Sequence, residues 1–323
     1  MRTIRLLEHN VHWPYHRHSP EGDGRWNETR FLFGREPGAA DWLAVTSLAP
    51  RGLDFPRNRT ILIAGEPDAH TWFHPDYVKQ FGTVVTTDPL LQHPALRLGY
   101  HALPWHVGID WSSPGPVSNL SYAQLATAPA KTRLCSCICS TESKRPGHRR
   151  RLAFVAQLKA ALGNRIDFYG RGFRDMPDKA EALDAYRYHI VLENTSADHY
   201  WTEKLADAYL RNCFPIYSGA PNIGAYFDAA ALAPIDIDRP DEAIRTIAAI
   251  LDSDLDRKAQ SAISSAKHLV MNRYNMLEQI ATLAAELERD SPVPDRPVRL
   301  RPQRWFKRRD GRRIWLRGLL GRR

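Results

Sequence analysis

The chain has 323 residues, with 45 Lys and Arg against 36 Asp and Glu, 43% hydrophobic residues and 25% charged ones. Those proportions exclude a wholly disordered, collagenous or coiled-coil chain, and the length suits two domains, each with its own core. Four cysteines are too few for a disulfide scaffold and point to a reducing compartment. No run reaches the roughly 18–20 apolar residues of a membrane span. The apolar stretch after Met1 also falls short of the about 7–15 residues of a signal peptide, so neither export nor a membrane-threaded chain is expected.

The net charge of +9 is unevenly spread. Residues 296–323 hold twelve Lys or Arg and one acid, Asp310, a net of +11, so the remaining residues sum to −2. A tail of this kind seeks an anionic partner, either a membrane surface or a nucleic acid.

In chain order, strands are expected over residues 2–7, 42–47 and 59–64, the last a β-branched apolar run ending at Gly65. A helix over 77–81 and a strand over 83–86 follow. Residues 111–131 are rich in Ser, Pro and Gly, which is linker chemistry. They divide the chain into domains at 1–125 and 126–290, with a tail at 291–323. The second series predicts a strand at 133–140, a helix at 149–162, strands at 165–169 and 188–192, a helix at 199–212, a strand at 214–217, and helices at 240–251 and 270–288. Alternating strands and helices argue for parallel sheets covered on both faces, with a ligand held in a cleft at the carboxyl ends of the strands.

Several patterns carry little. There is no P-loop, HExxH or GxSxG motif. Gly170-Arg-Gly172 lacks the third glycine of a dinucleotide fingerprint and reads as a tight turn. Cys135, Cys137 and Cys139 alternate along a strand, either as a metal site or as small buried residues. His9, His12, His16 and His18 follow the first strand as metal ligands or as a polar cleft loop. Asp236-Ile-Asp238 matches a metal-binding pair of some sugar transferases, but equally a strand end and turn, with Asp241 as the cap of the next helix.

The informative stretch is 186–221. A buried strand delivers Glu193 and Asn194 to its carboxyl end. In the helix beyond, Trp201, Leu205, Ala208 and Tyr209 form the apolar stripe. Tyr200, Glu203, Lys204 and Asp207, at i, i+3, i+4 and i+7, share the other face. A helix N-terminus at a strand end attracts phosphate, and Lys204 adds a full positive charge. A solvated amphipathic helix would have the same spacing.

These residues resemble a known family. Leu192-Glu-Asn194, Tyr200-Trp-Thr-Glu-Lys204 and Phe214-Pro-Ile-Tyr-Ser-Gly-Ala-Pro221 are similar to the signature of glycosyltransferase family 10, the α1,3/4-fucosyltransferases. Asp167-Phe-Tyr-Gly-Arg-Gly-Phe173, Asn222-Ile-Gly224 and Asp228 support it. The resemblance is strong over about 133–250, weaker at Ala64-Gly65-Glu66 and absent before residue 40.

The resemblance implies an α/β protein of the GT-B fold, two Rossmann-like domains facing a cleft. It implies GDP-fucose as donor, inversion at the sugar carbon, a glycan acceptor and no required cofactor, with a divalent metal at most stimulatory. A single displacement needs a base for the acceptor hydroxyl, and Glu66 matches the family's position. The leaving diphosphate needs cations, supplied by Lys204 and by Arg151 or its neighbour Arg150. Asn194, Tyr200, Glu203 and Gly170 complete the implied donor site, and Glu203 also offsets charge on an oxocarbenium-like sugar.

In residues 296–323, Arg and Lys interleave with Trp305, Phe306, Ile314, Trp315, Leu316, Leu319 and Leu320, the composition of an interfacial helix. The expectation is a bacterial-type cytoplasmic enzyme held on the inner face of the membrane, where lipid-linked or lipopolysaccharide acceptors are built. The rivals are the same fold with another nucleotide sugar, and a nucleic-acid-binding protein acting through its tail.

Overall fold

In the computed structural model, residues 1–8, 13–65, 72–112 and 115–320 are described, with side chains to Gly311. Their strands, in chain order, are β1 (Arg2–Glu8), β2 (Arg25–Trp26), β3 (Thr29–Phe33), β4 (Trp42–Thr46), β5 (Leu53–Pro56), β6 (Thr60–Ala64), β7 (Thr83–Thr86), β8 (Leu96–Leu98), β9 (Ile109–Asp110), β10 (Val117–Ser118), β11 (Arg133–Ile138), β12 (Ile166–Tyr169), β13 (Tyr186–Leu192), β14 (Phe214–Ser218), β15 (Ala233–Pro234) and β16 (Pro297–Leu300). The helices are α1 (Pro75–Val78), α2 (Tyr122–Ala126), α3 (Pro146–Leu162), α4 (Glu203–Leu210), α5 (Pro240–Leu251), α6 (Leu255–Lys258), α7 (Gln260–Met271), α8 (Met276–Asp290) and α9 (Gln303–Leu320).

The chain packs as two compact units, neither continuous in sequence. The first comprises Met1–His12, Gly24–Ala102 and Leu277–Arg323; the second comprises Trp13–Asp23 and Leu103–Met276. The linker-like stretch 111–131 thus lies within the second unit.

The first unit is built on a seven-stranded sheet in the order β2-β3-β1-β4-β6-β7-β8, parallel except where β2 meets β3. Its central strands are continuous apolar runs. Trp42–Val45 and Thr60–Ala64 are buried throughout, as strands covered on both faces must be. The basic C-terminal segment is built into this unit. β16 pairs antiparallel with β5, and Leu300 and Phe306 join Leu43, Leu62, Tyr77 and Phe81 in one core cluster. Gln303 accepts the His74 backbone N–H at 2.7 Å and donates to the Trp72 carbonyl at 3.2 Å. α9 therefore grips residues 72–74 through its first turn. Among the described residues, no helix is long and apolar enough to cross a membrane.

The second unit carries an all-parallel sheet in the order β12-β11-β13-β14-β15. From β11 the chain moves outward to β12 on one side and then to β13 on the other. The carboxyl ends of β11 and β13 are thus the topological switch point, where doubly wound sheets open a crevice.

Three predicted elements are corrected. The helix expected over 199–212 spans only Glu203–Leu210, because Thr202 caps it and His199 reverses the chain at φ +65°. The helix expected over 270–288 is two, α7 and α8, separated at 272–275. Asp241 lies inside the first turn of α5, which starts at Pro240 with Arg239 in the cap position. His16 and His18 sit in one 3-10 turn, Tyr15–His18, with His18 buried against Trp105. His9 and His12 lie outside the described residues.

Candidate functional site

A cleft of about 460 Å³ opens at the switch point, entirely within the second unit. Cys139 and Ser140 line it from the end of β11, Asn194 from the end of β13, His148 and Arg151 from α3, and Glu203, Lys204 and Asp207 from α4.

Two local devices bring these parts together. The first is a close approach of α3. A side chain at Gly147 would overlap the Asn194 carbonyl oxygen, so only glycine lets the first turn of α3 reach the end of β13. One turn later, Arg151 is 5% exposed and its Nη1 donates to the Asn194 side-chain oxygen. Its Nε finds no acceptor among the described residues. Neighbouring Arg150 points elsewhere, exposed and paired with Asp238 at 3.1 Å.

The second device is Glu193. Its fully buried carboxylate accepts the Thr202 backbone N–H at 2.8 Å, the Thr202 hydroxyl, and the Lys204 ammonium at 3.2 Å. Thr202 then caps α4 by accepting the Lys204 N–H. One buried acid thus fixes where the helix begins and where its lysine points. Burial pushes the Glu193 carboxyl up, against the pull of Lys204. Burial also disfavours the charged Lys204, but Glu193 and Glu203 outweigh it and hold the ammonium above its ordinary range.

Glu203 Oε1 lies 3.4 Å from Lys204 Nζ, 3.5 Å from Lys179 Nζ and 3.8 Å from His106 Nδ1. Burial pushes its carboxyl up, but Lys204 and the neighbouring positive charge outweigh it and hold it well below the usual carboxylate range. Asp207, one turn on, accepts Lys179 at 2.9 Å. Acids and cations therefore alternate along the wall, Asp207, Lys179, Glu203, Lys204 and Glu193, and each buried charge has a counter-charge.

Of the residues expected to bind donor, Arg151, Asn194, Glu203 and Lys204 meet in this cleft. Tyr200 does not share the helix face assigned to it. It precedes α4, is 2% exposed and is not among the lining residues. Gly170 also stands behind the lining. At φ +108° it makes the turn after β12, and a side chain there would overlap the carbonyl oxygen of Cys139. Glu66 lies outside the described residues. Cys135, Cys137 and Cys139 are buried free thiols, each pushed up by burial. Asp236 accepts the Asp238 N–H and pairs with Arg239 on the surface, a turn preceding α5. Among the described residues, no group of three His, Cys, Asp or Glu is placed to hold a metal ion.

Sequence reading missed His106, Lys179 and Arg171, which also line the cleft. Lys179 and Arg171 come from the β12–β13 connection and His106 from before β9, so no local spacing links them to α4.

Residues 128–248 match the family described as Glycosyltransferase family 10 (fucosyltransferase) C-term. The Helicobacter pylori alpha-(1,3)-fucosyltransferase FucT is 35% identical over 71 residues, 22% of this chain and 15% of that protein. An Arabidopsis thaliana fucosyltransferase-like protein is 30% identical over 142 residues, 42% of this chain and 27% of that one. The chain thus matches well under a third of either relative's length. A crystal structure of an alpha1,3-fucosyltransferase with GDP superposes with a TM-score of 0.50 at 17% identity, covering 89% of this chain and 90% of that one. That likeness shows the fold, GT-B with two Rossmann-like units, as expected. Over residues 128–248, then, the chain is similar to the C-terminal domain of glycosyltransferase family 10, the fucosyltransferases.

Proposed function

We propose that this protein transfers fucose from GDP-fucose to a hydroxyl of a glycan acceptor, with inversion at the sugar carbon. The observation that carries the reading is the pair of cations in the second unit's cleft. Arg151 is buried with an Nε–H that finds no acceptor among the described residues, and Lys204 is held charged at the head of α4. A buried guanidinium with an N–H to spare is costly unless an anion completes it, and a diphosphate does so. The family match to residues 128–248 and the GDP carried by the structurally similar enzyme support the nucleotide.

In this reading Arg151 and Lys204 meet the negative charge that develops on the leaving diphosphate. Glu203, kept ionised by its lysines, faces the sugar as it gains positive character. Glu66, by family resemblance, takes the acceptor proton. The acceptor class implied is an oligosaccharide or lipopolysaccharide containing GlcNAc or Glc, joined by an α1,3/4-type linkage.

We also propose peripheral attachment to the inner face of the cytoplasmic membrane through residues 296–323. Arg299, Arg301, Arg304, Lys307 and Arg308 are exposed, and Trp305 and Trp72 stand exposed beside them. Arg301 lies 4.3 Å over the Trp305 ring and Lys307 lies 5.3 Å from Trp72. Because β16 pairs with β5 and Leu300 and Phe306 belong to the first unit's core, deletion of 312–323, not of the whole tail, is the cut that tests attachment to anionic vesicles.

The deciding experiment offers GDP-fucose, GDP-mannose and UDP sugars as donors to a panel of glycans. Consumption of GDP-fucose supports the assignment, and consumption of a UDP sugar alone overturns it. Glu66→Gln is expected to abolish transfer and leave GDP binding intact; retained turnover removes Glu66 from its role.

A further inference from the structure

The loop from Trp105 to Gly108 is held to the cleft by nearly every backbone group it has. The N–H groups of His106 and Val107 both donate to Asp207 Oδ1 at 3.0 Å, and that of Gly108 donates to Asp178 Oδ1 at 2.8 Å. The carbonyls of Trp105 and Val107 accept the buried Arg17 guanidinium at 3.2 and 2.5 Å. Asp207 is 1% exposed and sits on α4 one turn beyond Glu203. The helix that carries Glu203 and Lys204 therefore also fixes where His106 stands. A loop tied this tightly is a preorganised wall, not a mobile connection.

Of that wall His106 lines the cleft, and two indoles pack around its ring. The His106 imidazole lies 4.8 Å from Trp13 and 5.6 Å from Trp111 between centroids, and the two indoles lie 5.3 Å apart. Trp111 is 45% exposed, unusual for a residue that normally buries most of its area. Burial lowers the His106 pKa to about 4, so at neutral pH the ring offers one N–H and one lone pair. A sugar hydroxyl, which both donates and accepts, fits that combination, and the apolar face of a pyranose fits an indole.

We infer that His106, flanked by Trp13 and Trp111, is the wall against which the transferred monosaccharide sits, a specificity-determining surface at the sugar end of the cleft. The inference rests on the donor reading proposed above. Placement distinguishes the sugar from the nucleotide. Lys204 Nζ and His106 Nδ1 lie 3.4 and 3.8 Å from the same Glu203 oxygen. His106 and the ammonium assigned to the diphosphate therefore both border Glu203, the acid assigned to the sugar.

The test is calorimetric titration of the full-length chain with GDP and, separately, with GDP-fucose, for the wild type, His106→Ala and Trp111→Ala. Trp111, at 45% exposed, serves as the second variant. The expected result is GDP affinity within about twofold of wild type in both variants, with GDP-fucose affinity reduced about tenfold in His106→Ala and about threefold in Trp111→Ala. Equal losses for both ligands, or no loss for either, overturn the inference and leave the donor reading standing. A wild-type chain that binds neither ligand overturns the donor reading, and the sugar wall falls with it.

Discussion

The carboxyl ends of the two sheets treat buried charge in opposite ways. In the second unit Glu193, Glu203 and Asp207 are each matched by Lys204 or Lys179 within 3.5 Å. In the first unit Glu8 ends β1 beside β4, with its Oε2 buried and without a partner among the described residues. Burial pushes its pKa up to about 7. A buried acid with counter-ions keeps a fixed charge over the working pH range; one without them changes charge with pH. The second unit's crevice is thus set electrostatically before any ligand arrives, as a site that stabilises developing charge requires.

The largest effect should follow from removing the cation at the centre of the matched set. Lys204→Met leaves the buried Glu193 without its counter-charge and Glu203 with Lys179 alone. Transfer measured as kcat/KM should fall by about a thousandfold, and stability by about 3 kcal/mol. A variant with normal turnover would mean that the matched charges are structural only. Next in size, Phe306→Ala acts on the first unit's core. It should cost about 3 kcal/mol in denaturant unfolding, the usual range for a buried aromatic, while leaving the GDP affinity of the second unit unchanged.

Smaller still is Glu8→Gln, which sharpens the contrast through pH. The Glu8 pKa is raised in the folded chain to about 7 from 4.5, so the unfolded chain releases its proton first and stability drains away as pH rises between those values. The glutamine variant carries no such penalty. It should be more stable by about 2 kcal/mol at pH 8 and no more stable at pH 4, read from thermal melts at both. A gain independent of pH would show that Glu8 is not titrating as described.

How far the sequence reveals all this varies with the distance between partners. The central strands were legible because continuous apolar runs such as Thr60–Ala64 bury on both faces. Glu193, Asn194, Glu203 and Lys204 were legible because a strand end and a helix start lie ten residues apart and carry a recognisable signature. Tyr200 was misplaced by periodicity. The spacing i, i+3, i+4 holds only inside a helix, and Glu193 captures Thr202 and delays the start to residue 203. The pairing of β5 with β16 joins segments more than two hundred residues apart, and nothing local in Leu53–Pro56 announces it. His106 escaped for the same reason. Its place in the cleft is set by Asp207, about a hundred residues later.

The most direct test of the central claim, that the second unit's cleft grips a diphosphate between Arg151 and Lys204, is GDP binding to Arg151→Met, with Arg150→Ala as its neighbour control. Arg151 lines the cleft with an N–H that has no acceptor among the described residues, whereas Arg150 pairs with Asp238 outside it. The account predicts that Arg151→Met weakens GDP binding by at least about tenfold while Arg150→Ala stays within about twofold of wild type. Equal behaviour of the two variants, or a wild-type chain indifferent to GDP, would contradict it.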